Sequence, residues 1–247
     1  MCGRYAQTAD MRELMEQFSV TGTSPETSLP LNWNIAPTNP IYIVRANDQS
    51  GNDAAVRKSL AVVSWGLIGP WLTDHQEARA SQSRAINARS ESIHEKPTFR
   101  NAFRATRCLI PATGYYEWAT ALGKYSPKQP FYISSRDDKQ LPIAGIWSSW
   151  RAPSGEVIET ASIITQEAQG ELATIHSRMP VFMPQDLWDT WLNPRNTDLH
   201  ELQSLMVVEN PESIVKHHPV SSAVNSVANN GKGLILELPL GEPETLF

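Results

Sequence analysis

Hydrophobic residues recur with a helical period near the start of the chain and again in its last third. The apolar positions of MRELMEQF (11–18) follow an i, i+3, i+4, i+7 spacing, which predicts a short amphipathic helix that begins near Thr8 or Asp10. Further helical patterns are EAQGELATI (167–175), QDLWDTWL (185–192) and TDLHELQSL (197–205). The polar, proline-containing stretch between residues 19 and 40 predicts a loop.

Strand-like runs fill most of the remaining chain. They are IYIVR (41–45), LAVVSWG (60–66), RCLIPA (107–112), GYYEW (114–118), PFYIS (130–134), LPIAGIWSSW (141–150) and VIETASIIT (157–165), with a single GLILEL (233–238) near the end. The sequence contains no internal repeat, no low-complexity tract and no long linker. With eighteen prolines and irregular joins, it predicts one α+β domain whose strands close on themselves, not an array of βαβ units.

The composition is that of a globular chain that can bury a core. The 247 residues are 40% hydrophobic and 19% charged, with a mean hydropathy of -0.35. The absence of a long apolar run predicts no membrane span, and acidic residues among the first twenty predict no secretory signal. Two cysteines and six histidines without ligand spacing predict a cytoplasmic, reduced protein that needs no metal and no cofactor.

The net charge of -5 argues against a nucleic-acid partner, but it hides a local excess of basic residues. Between Arg84 and Arg107 there are six basic and two acidic residues, whereas acidic residues gather towards the C-terminus. This window predicts either one basic face on an acidic protein or merely a solvated helix surface.

Cys2 is informative because of its position. Removal of Met1 by an aminopeptidase requires a small residue at position 2, so we expect the mature chain to begin with cysteine. Its α-amine, with a pKa near 7.7 to 8.0, would be a ready nucleophile at neutral pH. With an aldehyde it would form a Schiff base, and the thiol of the same residue would close a five-membered thiazolidine. The alternative is that Cys2 is an inert N-terminal residue.

Three other segments carry side chains suited to acid–base or polar chemistry. Glu117 lies between aromatic residues, a setting that either pairs a carboxylate or raises its pKa. His176 ends a predicted helix, where it either shuttles a proton or complements the helix dipole. Asn87 and Arg89 occupy a turn-like segment of the basic window.

The remaining cysteine and the tryptophans divide into core and surface candidates. Cys108 is expected to be a small buried hydrophobic residue and not a second nucleophile. Trp188 and Trp191, at helical spacing, are expected in the core. Trp71 follows Gly69 and Pro70 in a polar loop, so it is a candidate for stacking on a nucleobase.

Seven motifs in order resemble the SRAP family, the bacterial SOS-response-associated peptidase-like proteins and their eukaryotic relatives that shield abasic sites. They are MCGRY (1–5), NWNIAP (32–37), WG (65–66), INARSE (86–91), FRNAFRATRCLIPATGYYEW (99–118), IHSRMP (175–180) and HPVSSAVNSVANNGKGLI (218–235). The resemblance implies a single α+β domain over residues 1–247 with a β-barrel-like core, flanking helices and a positively charged channel for DNA. The motifs span residues 2–236, and residues 237–247 form an acidic C-terminal tail.

The resemblance also implies a chemistry. The family's N-terminal cysteine falls on Cys2, its active-site asparagine on Asn87, its glutamate on Glu117 and its histidine on His176. Cys2 would form a thiazolidine with the ring-opened sugar of an abasic site in single-stranded DNA, as a low-turnover, reversible cross-link. Asn87 would hold the amine, Glu117 would polarise the sugar hydroxyls, and His176 would serve ring opening and reversal of the link.

The implied partner is single-stranded DNA that contains abasic sites, bound by a monomer with no membrane association and located at the nucleoid when on DNA. The expected DNA-binding residues are Arg4, Asn34, Trp71, Arg89, Trp118 and Arg178.

Two other hypotheses remain open from the sequence. One is an N-terminal-nucleophile peptidase or amidase, in which a Cys2 thiolate attacks an acyl carbon with His176 as base. The other is a single-stranded DNA-binding protein without covalent chemistry, in which Cys2 is incidental.

Overall fold

The computed structural model describes residues 2–47, 56–120 and 128–239. The strands are β1 (Arg4–Gln7), β2 (Asn32–Ile35), β3 (Pro40–Ala46), β4 (Lys58–Trp65), β5 (Asn87–Arg89), β6 (Arg107–Ala112), β7 (Gly114–Trp118), β8 (Pro130–Ser135), β9 (Leu141–Arg151), β10 (Val157–Glu167), β11 (Arg178–Pro180) and β12 (Val215–Pro219). The α-helices are α1 (Met11–Gln17), α2 (His75–Arg84), α3 (Arg100–Ala105), α4 (Trp188–Leu192) and α5 (Leu199–Ser204). Short 3₁₀ helices cover Gly170–Thr174, Gln185–Leu187, Pro211–Ser213, Ser222–Asn225 and Lys232–Ile235.

Five strands form a closed barrel. Their order around the barrel is β4, β3, β6, β9 and β10, and β10 pairs with β4 to complete the circle. The β10–β4 contact is parallel and the other four are antiparallel. Closure leaves no free edge among these five strands, so the prediction that the strands close on themselves is confirmed. Two short strands, β5 and β11, extend this sheet from β10.

A second sheet packs against the barrel and carries the N-terminus. Its order is β12, β8, β7, β1 and β2, with every neighbouring pair antiparallel. Tyr5 of β1 meets Trp65 of the barrel edge-on, with ring centroids 5.3 Å apart. Strand β1 lies between β7 and β2 and is not at an edge of this sheet. The residues that precede β1 therefore lie inside the protein, beside the barrel core.

The predicted helices are right in the regions with the strongest periodicity. Helix α1 begins after Asp10, which caps the amide of Glu13 while the Glu13 carboxylate accepts from the Asp10 amide, so the start is Asp10 and not Thr8. Within 185–192 and 197–205 the structure has α4 and α5. Trp188 and Trp191 are buried, as is Cys108, so their assignment to the core is confirmed.

Other local predictions are wrong. The segment 19–40 contains strand β2, and GLILEL (233–238) is no strand because a 3₁₀ turn occupies Lys232–Ile235. The predicted helix 167–175 is instead the end of β10 followed by a 3₁₀ turn, where Gly170 adopts φ +55°. Helices α2 and α3 lack a clear apolar period and were not predicted.

The basic window is only partly a surface feature, because Arg107 is buried. Its guanidinium lies 5.8 Å from the ring centre of Trp191 and donates hydrogen bonds to five carbonyl oxygens. The acceptors belong to Phe103, Arg104, Trp191, Asn193 and Asn196. Arg107 therefore provides hydrogen bonds to carbonyl groups at and just after the C-terminal ends of α3 and α4. The other five basic residues of the window are exposed.

Membrane-spanning helices and metal sites can be assessed only for the residues that the structure describes. No helix among the described residues has the length and apolar character needed to cross a bilayer. Within the same residues, no group of three or more His, Cys, Asp or Glu side chains is arranged to hold a metal ion. Most of the expected acidic tail, residues 240–247, lies outside the described part of the structure.

Candidate active site

Four of the expected site residues come together where the second sheet meets the barrel. Cys2 precedes β1, and Glu117 lies on the neighbouring strand β7. Asn87 begins β5, and His176 lies just before β11; both of these strands pair with β10. Separate parts of the chain are therefore joined at one place by the pairing of β1 with β7 and of β10 with β5 and β11.

The Cys2 side chain is fully buried in the main core, in the same cluster as Tyr5 and Tyr115. Burial raises the pKa of the Cys2 thiol well above its usual range, and the nearby Glu117 carboxyl raises it further. A neutral thiol is therefore the stable form in this environment. The hydrogen bond from the Arg4 backbone amide lowers the pKa of the thiol, but its effect is smaller than that of burial.

Asn87 makes direct contact with Cys2. Its Nδ2 donates a hydrogen bond of 2.8 Å to the Cys2 carbonyl oxygen. Its Oδ1 is buried and receives no hydrogen bond from the described residues. The parallel pairing of Asn87 with Ile163 fixes the backbone from which the side chain extends. An acceptor with an unfilled hydrogen bond thus lies beside the residue expected to carry the reactive amine.

Glu117 is a carboxyl group enclosed by protein. Side chains two apart on a strand point to the same face, so Glu117 faces the core side that Tyr115 and Cys2 share. The residue is only 3% exposed, and this burial raises the pKa of its carboxyl group to about 7. Near neutral pH both its acid and its carboxylate form are populated, as proton transfer requires.

The His176 imidazole is oriented by the backbone of Arg178. The Arg178 amide donates to Nδ1 at 3.0 Å, so in the neutral ring the proton is on Nε2. This Nε2 lies 3.9 Å from Oε2 of Glu117. The Arg178 carbonyl oxygen is 3.3 Å from Nδ1 and can accept its proton when the ring is charged. Burial lowers the pKa of His176, which favours the neutral ring.

Two of the expected DNA-binding residues organise the C-terminal segment 224–229. Arg4 donates to Asn34 Oδ1 at 2.8 Å and to the carbonyl of Val224 at 2.9 Å. Asn34 Nδ2 donates to the carbonyls of Ser226 and Asn229, at 2.9 and 3.0 Å. These bonds fix the segment against strands β1 and β2.

Trp118 fixes the same segment from β7, since its Nε1 donates to Asn225 Oδ1 at 2.7 Å.

Arg89 is exposed at the end of β5. Trp71 is 49% exposed and its ring lies over Gly69, where an added Cβ would approach the ring to 2.5 Å. Only glycine allows the ring to lie this close to the backbone at position 69.

Arg178, an expected phosphate contact, is paired with Glu91 in the structure. Its two terminal nitrogens bind the two carboxylate oxygens of Glu91 at 2.6 and 2.9 Å, and one of them also donates to the Thr165 carbonyl at 2.6 Å. The side chain is 15% exposed. Glu91 lies in the INARSE motif, but the sequence alone gave no indication that it pairs with Arg178, which is far along the chain.

The chain is similar to known proteins over nearly its full length. A family model described as SOS response associated peptidase (SRAP) matches residues 1–227. The abasic site processing protein YoqW of Bacillus subtilis is 35% identical over 235 residues, which cover 95% of this chain and 99% of YoqW. The abasic site processing protein HMCES of Gallus gallus is 28% identical over 226 residues, or 83% of this chain and 65% of that protein.

Solved structures share the fold. A crystal structure of a protein from Bacteroides thetaiotaomicron superposes with a TM-score of 0.81 at 24% identity, covering 96% of this chain and all of that one. A second, from Bordetella bronchiseptica, has a TM-score of 0.72 at 25% identity, covering 89% of this chain and all of the other.

Proposed function

Because the chain belongs to the SRAP family, we propose that it processes abasic sites in single-stranded DNA by forming a covalent cross-link through Cys2. The relatives named as abasic site processing proteins support the substrate. The observation that carries the covalent mechanism is the Asn87 amide, which donates to the Cys2 carbonyl and leaves a buried acceptor beside the same residue.

The proposed reaction begins after Met1 has been removed. The Cys2 α-amine attacks C1′ of the open-chain sugar, and loss of one water gives an imine. The Cys2 sulfur then bonds to the imine carbon, and the thiol proton moves to the nitrogen, which closes the thiazolidine ring. Both nucleophiles belong to one residue, so the second step is intramolecular and strongly favoured.

Asn87 orients the amine in this proposal. Its Nδ2 fixes the Cys2 carbonyl, and its Oδ1 accepts a hydrogen bond from the α-amine. The lone pair of the amine is thereby directed away from Asn87 and towards the aldehyde. A mobile N-terminus would lose orientational freedom when it attacks the aldehyde. An amine that Asn87 already holds in place avoids this entropic cost.

Glu117 and His176 carry the protons. An abasic sugar is mostly a closed hemiacetal, so its ring oxygen must gain a proton and its hydroxyl must lose one before C1′ becomes an aldehyde. Glu117 polarises the sugar hydroxyls and exchanges a proton near neutral pH, because burial raises its pKa to about 7. His176 presents Nε2 towards Glu117 and serves ring opening and the reversal of the link.

The surrounding residues would hold the DNA strand. Arg89 is exposed next to Asn87 and is suited to a phosphate contact. Trp71 presents a half-exposed ring for stacking. Arg4, Asn34 and Trp118 act through the segment 224–229, which we propose forms one wall of the channel.

The peptidase alternative requires a different state of Cys2. Attack on an acyl carbon needs a thiolate, whereas burial and the Glu117 carboxyl both raise the pKa of the thiol. The amine-first mechanism uses a neutral thiol and meets no such obstacle. This electrostatic environment favours the cross-linking hypothesis.

The test uses single-stranded DNA in which one uracil has been excised, with a panel of peptides as the second substrate. We expect the protein without Met1 to give a covalent band with the DNA that survives heating. Cys2→Ala, which keeps the α-amine but lacks the thiol, should give no heat-stable band while still binding the strand. Turnover of peptides without any covalent DNA band would contradict the proposal. Equal binding by both proteins with no covalent band from either would favour the non-covalent hypothesis.

A further inference from the structure

Glu91 holds the residue that orients His176. Glu91 follows β5 and its carboxylate binds both terminal nitrogens of Arg178, at 2.6 and 2.9 Å. Its Oε1 also accepts from the Glu167 amide at 3.2 Å. In the β10–β11 ladder Glu167 is opposite Arg178, so one carboxylate ties together the ends of three strands.

The backbone of Arg178 is otherwise held by its pairing with Glu167 and by the hydrogen bond of 3.0 Å from the Ala168 amide to the Ser177 carbonyl. It is the first residue of β11, a strand of three residues at the edge of the barrel sheet. The first residue of such a short edge strand is prone to fraying unless a side chain holds it. The Arg178 guanidinium supplies this restraint through Glu91 and through the Thr165 carbonyl at 2.6 Å.

The same backbone determines the state of His176. The amide of Arg178 donates to Nδ1 of the ring, which directs the proton of the neutral ring to Nε2 on the side of Glu117. A shift of this amide would release Nδ1 and allow the other tautomer, in which Nε2 has no proton to exchange with Glu117.

We infer that Glu91 is a positioning residue: by clamping the Arg178 guanidinium, it fixes the amide that sets the orientation and tautomer of His176. The inference rests on the proposed function for its effect on cross-linking rates, but not for its effect on the imidazole. It also gives Arg178 a role in the free protein that does not require DNA.

The direct test is side-chain NMR of the DNA-free protein. The Nδ1 and Nε2 signals of His176, identified by their loss in His176→Ala, report the tautomer. We expect one Nε2-protonated form in the wild type and a mixture of tautomers in Glu91→Gln, with hydrogen exchange of the Arg178 amide at least about ten-fold faster. Glu95→Gln, which removes an equal charge from an exposed side chain of the same segment, should match the wild type.

Cross-linking at saturating abasic DNA gives the second readout. Glu91→Gln should form the link on the order of ten-fold more slowly, because a misplaced general acid–base group loses only part of its effect. Its affinity for undamaged single strands should be unchanged or higher, since one negative charge is lost and Arg178 is released. A double variant with Arg178→Met should show no further loss of the single tautomer, because the two residues act as one unit.

A single Nε2 tautomer with unchanged amide exchange in Glu91→Gln would overturn the inference. Additive effects of Glu91→Gln and Arg178→Met on the tautomer would overturn it as well. These NMR results are independent of cross-linking, so they stand even if the wild-type protein forms no link and the proposed function fails.

Discussion

Replacing Glu117 by glutamine should stabilise the protein at pH 8 and have little effect at pH 5. Burial raises the pKa of this carboxyl group from 4.5 to about 7. The folded protein therefore holds the proton more tightly than the unfolded chain does. The resulting stabilisation is full below pH 4.5 and is lost as the pH rises through 7, where an enclosed carboxylate must form.

The size of the effect follows from linkage. Ionisation of a group displaced from 4.5 to about 7 costs the folded state about 3 kcal/mol at pH 8 and less than about 1 kcal/mol at pH 5. Glutamine has nearly the same shape and no charge, so it removes this cost. It also removes the proposed acid–base group, and the stabilised variant should cross-link DNA more slowly than the wild type.

Urea unfolding, followed by tryptophan fluorescence at both pH values, measures the difference. Glu95→Gln controls for the loss of one negative charge, because that side chain is exposed. A Glu117→Gln variant that is less stable than the wild type at pH 8, or equally changed at pH 5 and pH 8, would show that the buried Glu117 carboxylate does not destabilise the folded protein.

Three further predictions follow from other parts of the structure. Arg107→Met should lower the free energy of unfolding by about 3 to 5 kcal/mol, because five carbonyl groups lose a charged donor and two of these hydrogen bonds, to Phe103 and Trp191, are fully buried. Exposed Arg104→Met should change it little in the same urea assay. Arg89→Ala should reduce the salt dependence of single-stranded DNA affinity by roughly 0.7 in the log–log slope, and an unchanged slope would mean that Arg89 contacts no phosphate. His176→Ala should slow cross-link formation and its reversal by about ten to a thousand fold, measured as a time course and a chase with competitor DNA, and wild-type rates in both directions would remove His176 from the mechanism.

The sequence was most reliable where a pattern is local and repeated. The strands of the barrel have the expected runs of apolar residues, and α1 has both its apolar period and its capping box. Strand β1 was not predicted because RYAQ has no apolar alternation of its own and is held by hydrogen bonds to β7 and β2 on either side. GLILEL (233–238) has a strand-like composition, but no strand among the described residues pairs with it, and part of it forms a 3₁₀ turn.

Site residues were harder to interpret than strands because their partners are distant in the chain. The contact between Asn87 and Cys2 depends on the pairing of β5 with β10, which no local pattern reveals. For the same reason no local pattern indicated that Arg178, an expected phosphate contact, binds Glu91. Arg107 was counted in the basic window, but in the structure it is buried and donates hydrogen bonds to carbonyl groups near the ends of two helices.

The mass of the covalent product tests the central proposal most directly. After incubation with single-stranded DNA that carries one abasic site, we expect a product whose mass equals that of the chain without Met1 plus the DNA minus one water. Proteolysis should then place the DNA remnant on Cys2, and Cys2→Ser should give a product that heat destroys. A product that retains Met1, or a DNA remnant on any other residue, would contradict cross-linking through the Cys2 amine and thiol.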